Sequence, residues 1–352
     1  MAEMIDHSEP AKKNILVERF SEMFLYGKSM VPALLILLVG LVLFFGLLTP
    51  HFLEFHNFQA IISNIPVVAI LSVGMTFVLL IGGLDLSVGS ILGFTAVTAV
   101  LFHEVGFPTW LVFLGCLGIG AIFGSLNGFI IAKVGINPVI TTLGMMAFAR
   151  GLASWFSLEI EILRTGRIYD QNFLNIARLF IPQNPPLFPI TLIYIIALFI
   201  LASFVLRYTN YGRMIYQTGS NEYAARLAGI NVQRIKFLSY MISGIMASLA
   251  GAILLAQLGL GRDDAGIGAE LEVITAVVLG GVTLAGGKGS LSGVIIAILI
   301  LGVIRNGMVH LETVTGISFH WREVVKGAIL ILAVSIDAAR TIATRRKQVI
   351  RQ

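Results

Sequence analysis

Apolar residues in this chain of 352 residues run in long blocks, separated by short polar or glycine-rich breaks. A membrane-crossing helix needs about 20 mostly apolar residues. Blocks of that kind fall at roughly 31–48, 59–81, 87–105, 109–132, 137–158, 187–206, 237–258, 271–285, 289–305 and 324–340, which predicts about ten spanning helices and an all-α polytopic membrane protein. The stretch 271–305 is a single apolar run interrupted only by AGGKGS. The longest polar connections, about 159–186 and 207–236, leave no room for a soluble domain. The expected organisation is a polar segment over 1–30, a membrane domain over 31–340 and a short tail over 341–352. The first apolar block lacks a small-residue cleavage pattern, so it is expected to stay as a span rather than leave as a signal peptide.

Composition agrees with the pattern. The chain is 57% hydrophobic and only 12% charged, against about 25% charged in a soluble domain, so the bilayer lipids are its main solvent. The only cysteine, Cys116, excludes an internal disulfide and a cysteine-based metal cluster. The six histidines show no metal-ligand spacing. The net charge of +5 reads as topology rather than nucleic-acid binding. With the N-terminus inside, ten spans return the C-terminus inside. Of the 24 Lys and Arg, sixteen then fall on the inner side, seven fall outside, and Arg150 stays in a span. That bias is the positive-inside pattern, and most of it comes from the 207–236 loop and the two termini.

Small residues recur where helices should approach closely: Gly120, Gly124 and Gly128 every four positions, and a similar face of Gly244, Ala247, Ser248 and Gly251. The stretch GGLDLSVGS, Gly82 to Ser90, sets a carboxylate inside a glycine-rich break between two apolar blocks. An ionisable group at membrane depth costs energy and faces a partner, a cavity or water. Two readings stand: a turn at the membrane rim capped by Ser87 and Ser90, with Asp85 favouring the following helix N-terminus, or a re-entrant break lining a pathway. Asn64, Asn127, Asn137, Thr141, Thr142, Arg150, Gln257, Glu270, Glu272, Asn306 and Asp337 add polar atoms at span edges or interiors. Arg150 needs a carboxylate or a backbone carbonyl as partner.

LAGGKGS, Leu284 to Ser290, is not a phosphate-binding loop. Val282 holds the first glycine position of GxxxxGK[ST], and Gly289 follows the lysine. No nucleophile–base pair appears either, so nothing points to an enzyme or to a bound cofactor. The polar segment GSNEYAARLAGINVQRIK, Gly219 to Lys236, carries a short helix: Asn221 as N-cap, Glu222, Ala224, Ala225, Arg226, Leu227 and Ala228 as its body, and Gly229 as its stop. So short a helix is marginal alone in water. It needs either the protein's own surface or a partner to hold it.

Four stretches in this order and spacing carry a family resemblance: VGMTFVLLIGGLDLSVGS (73–90), LNGFIIAKVGINPVITTLGMMAFARG (126–151), YGRMIYQTGSNEYAARLAGINVQRIK (211–236) and GAELEVITAVVLGGVTLAGGKGSLSGVIIAILILGVIRNGM (268–308). Together they span most of residues 60–340. The chain resembles the membrane permease subunits of bacterial ATP-driven importers for ribose, xylose, arabinose and galactose. The resemblance implies a type II importer-like bundle with broken segments in the inner membrane, and a second permease subunit, identical or a paralogue. It implies ATPase subunits that bind ATP and magnesium on the cytoplasmic side, and a periplasmic sugar-binding protein. It implies that Gly219, Asn221, Glu222, Ala224, Ala225, Arg226, Leu227 and Gly229 form the helix that couples to the ATPase. Asp85 and Ser87 in the signature break, with Asn127, Asn137, Thr141 and Arg150, would then border the substrate pathway. The segment SLEIEILRTGRIYDQNF, Ser157 to Phe173, departs from the family's glycine-rich turn, so the resemblance does not fix the solute. A nucleoside, a branched-chain amino acid or a signalling furanose stays open within the class. An ion-coupled secondary transporter is the alternative outside it.

Overall fold

A computed structural model describes residues 30–160, 166–183 and 186–350, with side chains placed through 179 and from 188 to 339 outside the gaps. The expected N-terminal segment, Glu161 and Arg164 of the 157–173 segment, and the side chains of the C-terminal tail lie outside the described residues.

The chain is an all-α polytopic membrane protein with one small hairpin. Helix α1 is Val31–Leu48. Helices α2 (Phe55–Asn64) and α3 (Pro66–Leu80) form one apolar segment bent by 43°; Pro66 lacks the N–H that would continue the helix. Helix α4 is Val88–Glu104. Helix α5 (Thr109–Phe129) runs on into a wider π-turn at Ile130–Val134 and stops at Gly135, which takes φ +85°. Helix α6 (Pro138–Glu159) starts with Pro138 in its first turn, and the Asn137 side chain accepts from the Val139 N–H at 2.9 Å. After α7 (Gln171–Arg178), strands β1 (Phe180–Gln183) and β2 (Pro186–Pro189) pair antiparallel. There follow α8 (Ile190–Tyr208), α9 (Asn210–Ser220), α10 (Glu222–Leu227), α11 (Val232–Leu258), α12 (Ala269–Leu279), α13 (Leu291–Thr315) and α14 (Trp321–Ile350).

Among the described residues six helices are long and apolar enough to cross a membrane by themselves, or seven with the bent α2–α3 pair as one span. The ten expected spans are not all reproduced as single helices, because glycine and proline divide some blocks. The block at 271–285 ends as a helix of 11 residues where Gly280 and Gly281 begin a turn. The block at 289–305 is longer than expected, because the helix continues through Arg305, Asn306 and His310 to Gly316. His310 is therefore helical, and its Nε2 pairs with the Asn57 side chain at 3.0 Å.

Helix α11 sits at the centre. The two small-residue faces read from the sequence meet each other: Gly120 lies against Gly244 and Ser248, and Gly124 against the Tyr240 carbonyl, where an added Cβ would come within 2.5 Å of the oxygen. Gly128 faces Phe237 in the same way. Such close approach gives lipid-embedded helices the dispersion contacts that hold them together. On its other sides α11 packs on α3 at Gly74 and on α4 at Gly251. The outer flanks are apolar and uncovered, as on α1 and α8, where Leu47 and Ile200 stand exposed.

Helices α11 and α12 do not connect at the rim of the bundle. Gly261 lies against the Ala96 carbonyl and Gly266 against that of Gly89, both in the first half of α4. The 259–268 connection therefore packs against α4 as far as its middle, and α12, at about 16 Å, is about half as long as a membrane-crossing helix.

Candidate functional site

The break after α3 is packed inside the helix bundle. Its Asp85 is fully buried among helices. One carboxylate oxygen accepts from the Ser87 backbone N–H at 3.0 Å and from the Ser87 hydroxyl at 2.6 Å; the other accepts from the Ser243 hydroxyl of α11 at 2.7 Å. The Asn127 side chain of α5 donates to the Ser87 oxygen at 2.9 Å. The Tyr240 hydroxyl donates to the Leu84 carbonyl at 3.2 Å. Gly83 is what lets that tyrosine in, since a Cβ there would overlap its oxygen. Asp85 thus fastens the break to α11 and α5 through neutral donors, and it has no cationic partner among the described residues. Removing it would strand a backbone N–H that has no rotational freedom to find another acceptor.

A second glycine-rich break, residues 280–290 between α12 and α13, meets the first. The Gly287 N–H donates to the Leu80 carbonyl at 2.8 Å. Gly286 lies against Gly82, where an added Cβ would fall 2.7 Å from the Gly82 nitrogen. The end of α9 closes the junction. Gly219 sits so tightly that a Cβ would overlap the Leu80 carbonyl and lie 2.6 Å from the Gly287 nitrogen. Tyr216 of α9 donates to the Gly289 carbonyl at 3.0 Å. Two breaks far apart in sequence are therefore locked to each other and to one short helix.

That short helix leads directly into α10. The Asn221 side chain accepts from the Ala224 N–H at 3.0 Å, and Gly229 ends the element at φ +79° with the Ile230 N–H returned to the Ala225 carbonyl. Glu222 binds Arg226 at 2.6 Å and Lys236 at 2.7 Å. Partial burial pushes the Glu222 carboxyl up, but the hydrogen bonds from Lys236 and Arg226 outweigh it and hold the group below the usual range. Ala225 is buried, whereas Tyr223 and Leu227 are each 73% exposed one turn apart. An aromatic and an aliphatic side chain side by side on this short polar helix form an uncovered apolar patch.

Arg150 of α6 has a partner that the sequence could not name. Its guanidinium donates to the Asp263 carbonyl and, at 2.8 Å, to the Ala265 carbonyl, while Ser154 donates to the Asp263 carboxylate at 2.7 Å. Arg150 therefore holds down the 259–268 connection by its backbone. Arg150→Ala is expected to raise amide exchange in 261–268 by about tenfold, the effect of losing roughly 1.4 kcal/mol; unchanged exchange there would show that the loop holds itself.

The family model described as branched-chain amino acid transport system / permease component matches residues 57–334. The chain belongs to this family of membrane permeases. It is 38% identical over 306 residues to the ribose import permease protein RbsC of Escherichia coli K12, covering 86% of this chain and 92% of that one. It is 36% identical to the Bacillus subtilis ribose import permease RbsC, covering 86% and 90%. It is 34% identical to the fructose import permease FrcC of Rhizobium meliloti, covering 89% of this chain and 86% of that one. No solved structure matches the chain significantly.

Within this permease, the residues expected to act together divide into groups. Asp85, Ser87 and Asn127 form one network. Asn137 is an exposed helix cap, Thr141 lies in the first turns of α6, and Arg150 sits higher on that helix with the 259–268 connection. Asn221, Glu222, Ala224, Ala225, Arg226 and Leu227 lie on or cap α10, with Gly229 as its stop, but Gly219 belongs to the preceding helix α9. Ser243 and Tyr240 complete the Asp85 network, and Tyr223 stands beside Leu227; none of the three was singled out by the sequence. Ser243 does adjoin the small-residue face beginning at Gly244, a weak signal of close packing.

Proposed function

We propose that this permease is the transmembrane subunit of an ATP-driven importer for a monosaccharide or a related small polyol in a bacterial inner membrane. On this reading both termini and the α9–α11 connection are cytoplasmic, as the Lys and Arg distribution favours. A pair of permease subunits, identical or paralogous, works with ATPase subunits that bind ATP and magnesium, and with a periplasmic binding protein that delivers the solute. The observation that carries the coupling step is the exposed Tyr223–Leu227 patch, joined through α9 to both glycine-rich breaks. Closure of the ATPase pair would move α10; Gly219 would pass the movement to Leu80 and Gly287, and so to the ends of α3 and α12 together. The solute needs no charged carrier group on this route, because the free energy comes from the partner.

The test is uptake of labelled D-ribose, D-fructose and L-arabinose by the permease co-reconstituted with its ATPase and binding protein. ATP-dependent uptake of one of them is expected. Uptake by the purified chain alone, driven by an ion gradient, would instead establish a secondary transporter. Tyr223→Ala combined with Leu227→Ala is expected to cut uptake and binding-protein-stimulated ATP hydrolysis at least about tenfold with permease abundance unchanged, because buried aromatic anchors dominate such contacts. Wild-type hydrolysis in the double variant would move the docking surface away from α10.

A further inference from the structure

Two adjoining cavities, of about 230 and 300 Å³, lie among α12, α13 and α14, with α2 and α3 closing the first; they share Glu272, Arg305 and Arg322 in their walls. Asn64 and Asn306 line the first as well. Neither the Asp85 network nor the glycine junction uses these residues. Arg305 stands on an apolar helix, ten residues before its end, where a charge facing lipid is costly.

The polar atoms in the walls are unequally engaged. Arg322 is occupied, forked against both oxygens of Glu312. Glu272 has only Lys326 near it, at 3.8 Å, beyond hydrogen-bond range. Arg305 has no hydrogen-bond or ion-pair partner among the described residues, and the Asn306 Oδ1 is buried without one. The walls thus present the unused N–H fork of Arg305 beside the Glu272 carboxylate, which is held only by a long ion pair to Lys326, with the unpartnered Asn306 oxygen buried behind them. Vicinal hydroxyls donate and accept at once, so a polyol matches that combination, whereas a simple anion or cation satisfies only half of it. The charges also balance: Arg322 is neutralised by Glu312 outside the lining, and within it Arg305 and Lys326 stand against Glu272 and Glu323. A balanced wall suits a neutral solute. Since a water takes about 30 Å³, a space of 230 Å³ holds seven or eight waters, room for a five- or six-carbon ring.

We propose that the cavity of Glu272, Arg305 and Asn306 is a transient binding station for a neutral polyhydroxylated solute on its way through this chain. The proposal rests on the importer reading above. Arg305 and Asn306 contact the solute through its ring and hydroxyl oxygens, and Glu272 accepts from a hydroxyl. The hold is weak by design, because every group engages a neutral partner and the solute must leave again.

The chain's single cysteine, Cys116, is buried, so a Cys116→Ala background permits site-specific labelling. In the complete transporter, Asn306→Cys in that background is expected to react with a small cationic methanethiosulfonate reagent. The sugar that the wild type transports, presented on its binding protein, is expected to slow labelling at least threefold, and a sugar it does not transport is expected to have no effect. Arg305→Gln is expected to lower uptake at least tenfold while binding-protein-stimulated ATP hydrolysis continues, and Arg305→Lys to restore part of the loss. Continued hydrolysis shows that the variant has folded and assembled. Labelling indifferent to sugar, or absent, together with wild-type uptake by Arg305→Gln, overturns the cavity proposal while leaving the importer reading intact. A wild-type complex that moves none of D-ribose, D-fructose and L-arabinose removes the importer reading for these sugars, and the proposal with it.

Discussion

Asp85→Ala is expected to lower uptake at least a hundredfold, whereas Asp85→Asn is expected to keep a measurable fraction of it. The carboxylate accepts three hydrogen bonds, two from Ser87 and one from Ser243. Hydrogen bonds to a charged group contribute about 1.5–3 kcal/mol each, and a stranded buried donor costs about 1–3 kcal/mol. The two hydroxyls can turn towards nearby carbonyls after the change to alanine. The Ser87 N–H cannot turn, so the floor of the loss is one unsatisfied backbone donor and the freed end of the break. Asparagine keeps an acceptor for Ser87 on its carbonyl oxygen, and its amide can donate to the Ser243 oxygen, which is itself able to accept. The pair of variants therefore separates two roles. If Asp85 is an anchor, shape and acceptors matter, and asparagine works in part. If it carries a proton or an ion, the charge matters, and asparagine is as inactive as alanine. Equal loss in both variants, at equal membrane abundance, would revive the secondary-transporter alternative.

Parts of this architecture are legible in the sequence, and the reasons differ from element to element. Spans such as α8 and α11 are continuous apolar blocks and were legible at once, since lipid demands such blocks whatever the neighbours. The contact between α5 and α11 was legible as two small-residue faces, although not as a pair. The cap and stop of α10 are local chemistry at Asn221 and Gly229, so a short sequence window contains them. Hydrophobicity was a poorer guide where a helix carries charge for a reason outside itself. The apolar pattern ends α13 at Arg305, yet the helix continues to Thr315, with Arg305 and Asn306 lining a cavity and His310 pairing with Asn57. Helix α9 was hidden inside a loop because its residues are mixed in polarity and its reason for being helical is the junction it closes. Ser243 was out of reach for a different reason: it meets Asp85 across 158 residues of chain, and nothing near either residue names the other. The same holds for the Arg150 carbonyl partners and for the cavity walls, which come together only when separate helices are packed.

Gly219→Val is expected to uncouple the transporter: ATP hydrolysis by the assembled complex would persist while uptake falls at least about thirtyfold. Gly219 lies where α9 ends, and a β-carbon there would overlap the Leu80 carbonyl oxygen and fall 2.6 Å from the Gly287 nitrogen. Those two atoms are already hydrogen-bonded to each other at 2.8 Å. Any β-carbon at 219 must therefore push α9 away or break that bond, and both obstacles are backbone, which yields less readily than a side-chain tip. A forced repacking of this kind costs about 1–3 kcal/mol, enough to shift a two-state linkage by about five- to 150-fold. The comparison that gives the result its meaning is Gly229→Ala. That glycine holds φ +79° with open space around it, so alanine there strains only the end of α10 and leaves the junction untouched. A local cost of about 1 kcal/mol at the stop of α10 is expected to reduce uptake by a few-fold at most, with hydrolysis and uptake falling in step. If Gly219→Val lowers hydrolysis and uptake in the same proportion, the junction serves assembly rather than transmission, and the path from α10 to the two breaks must run through other contacts.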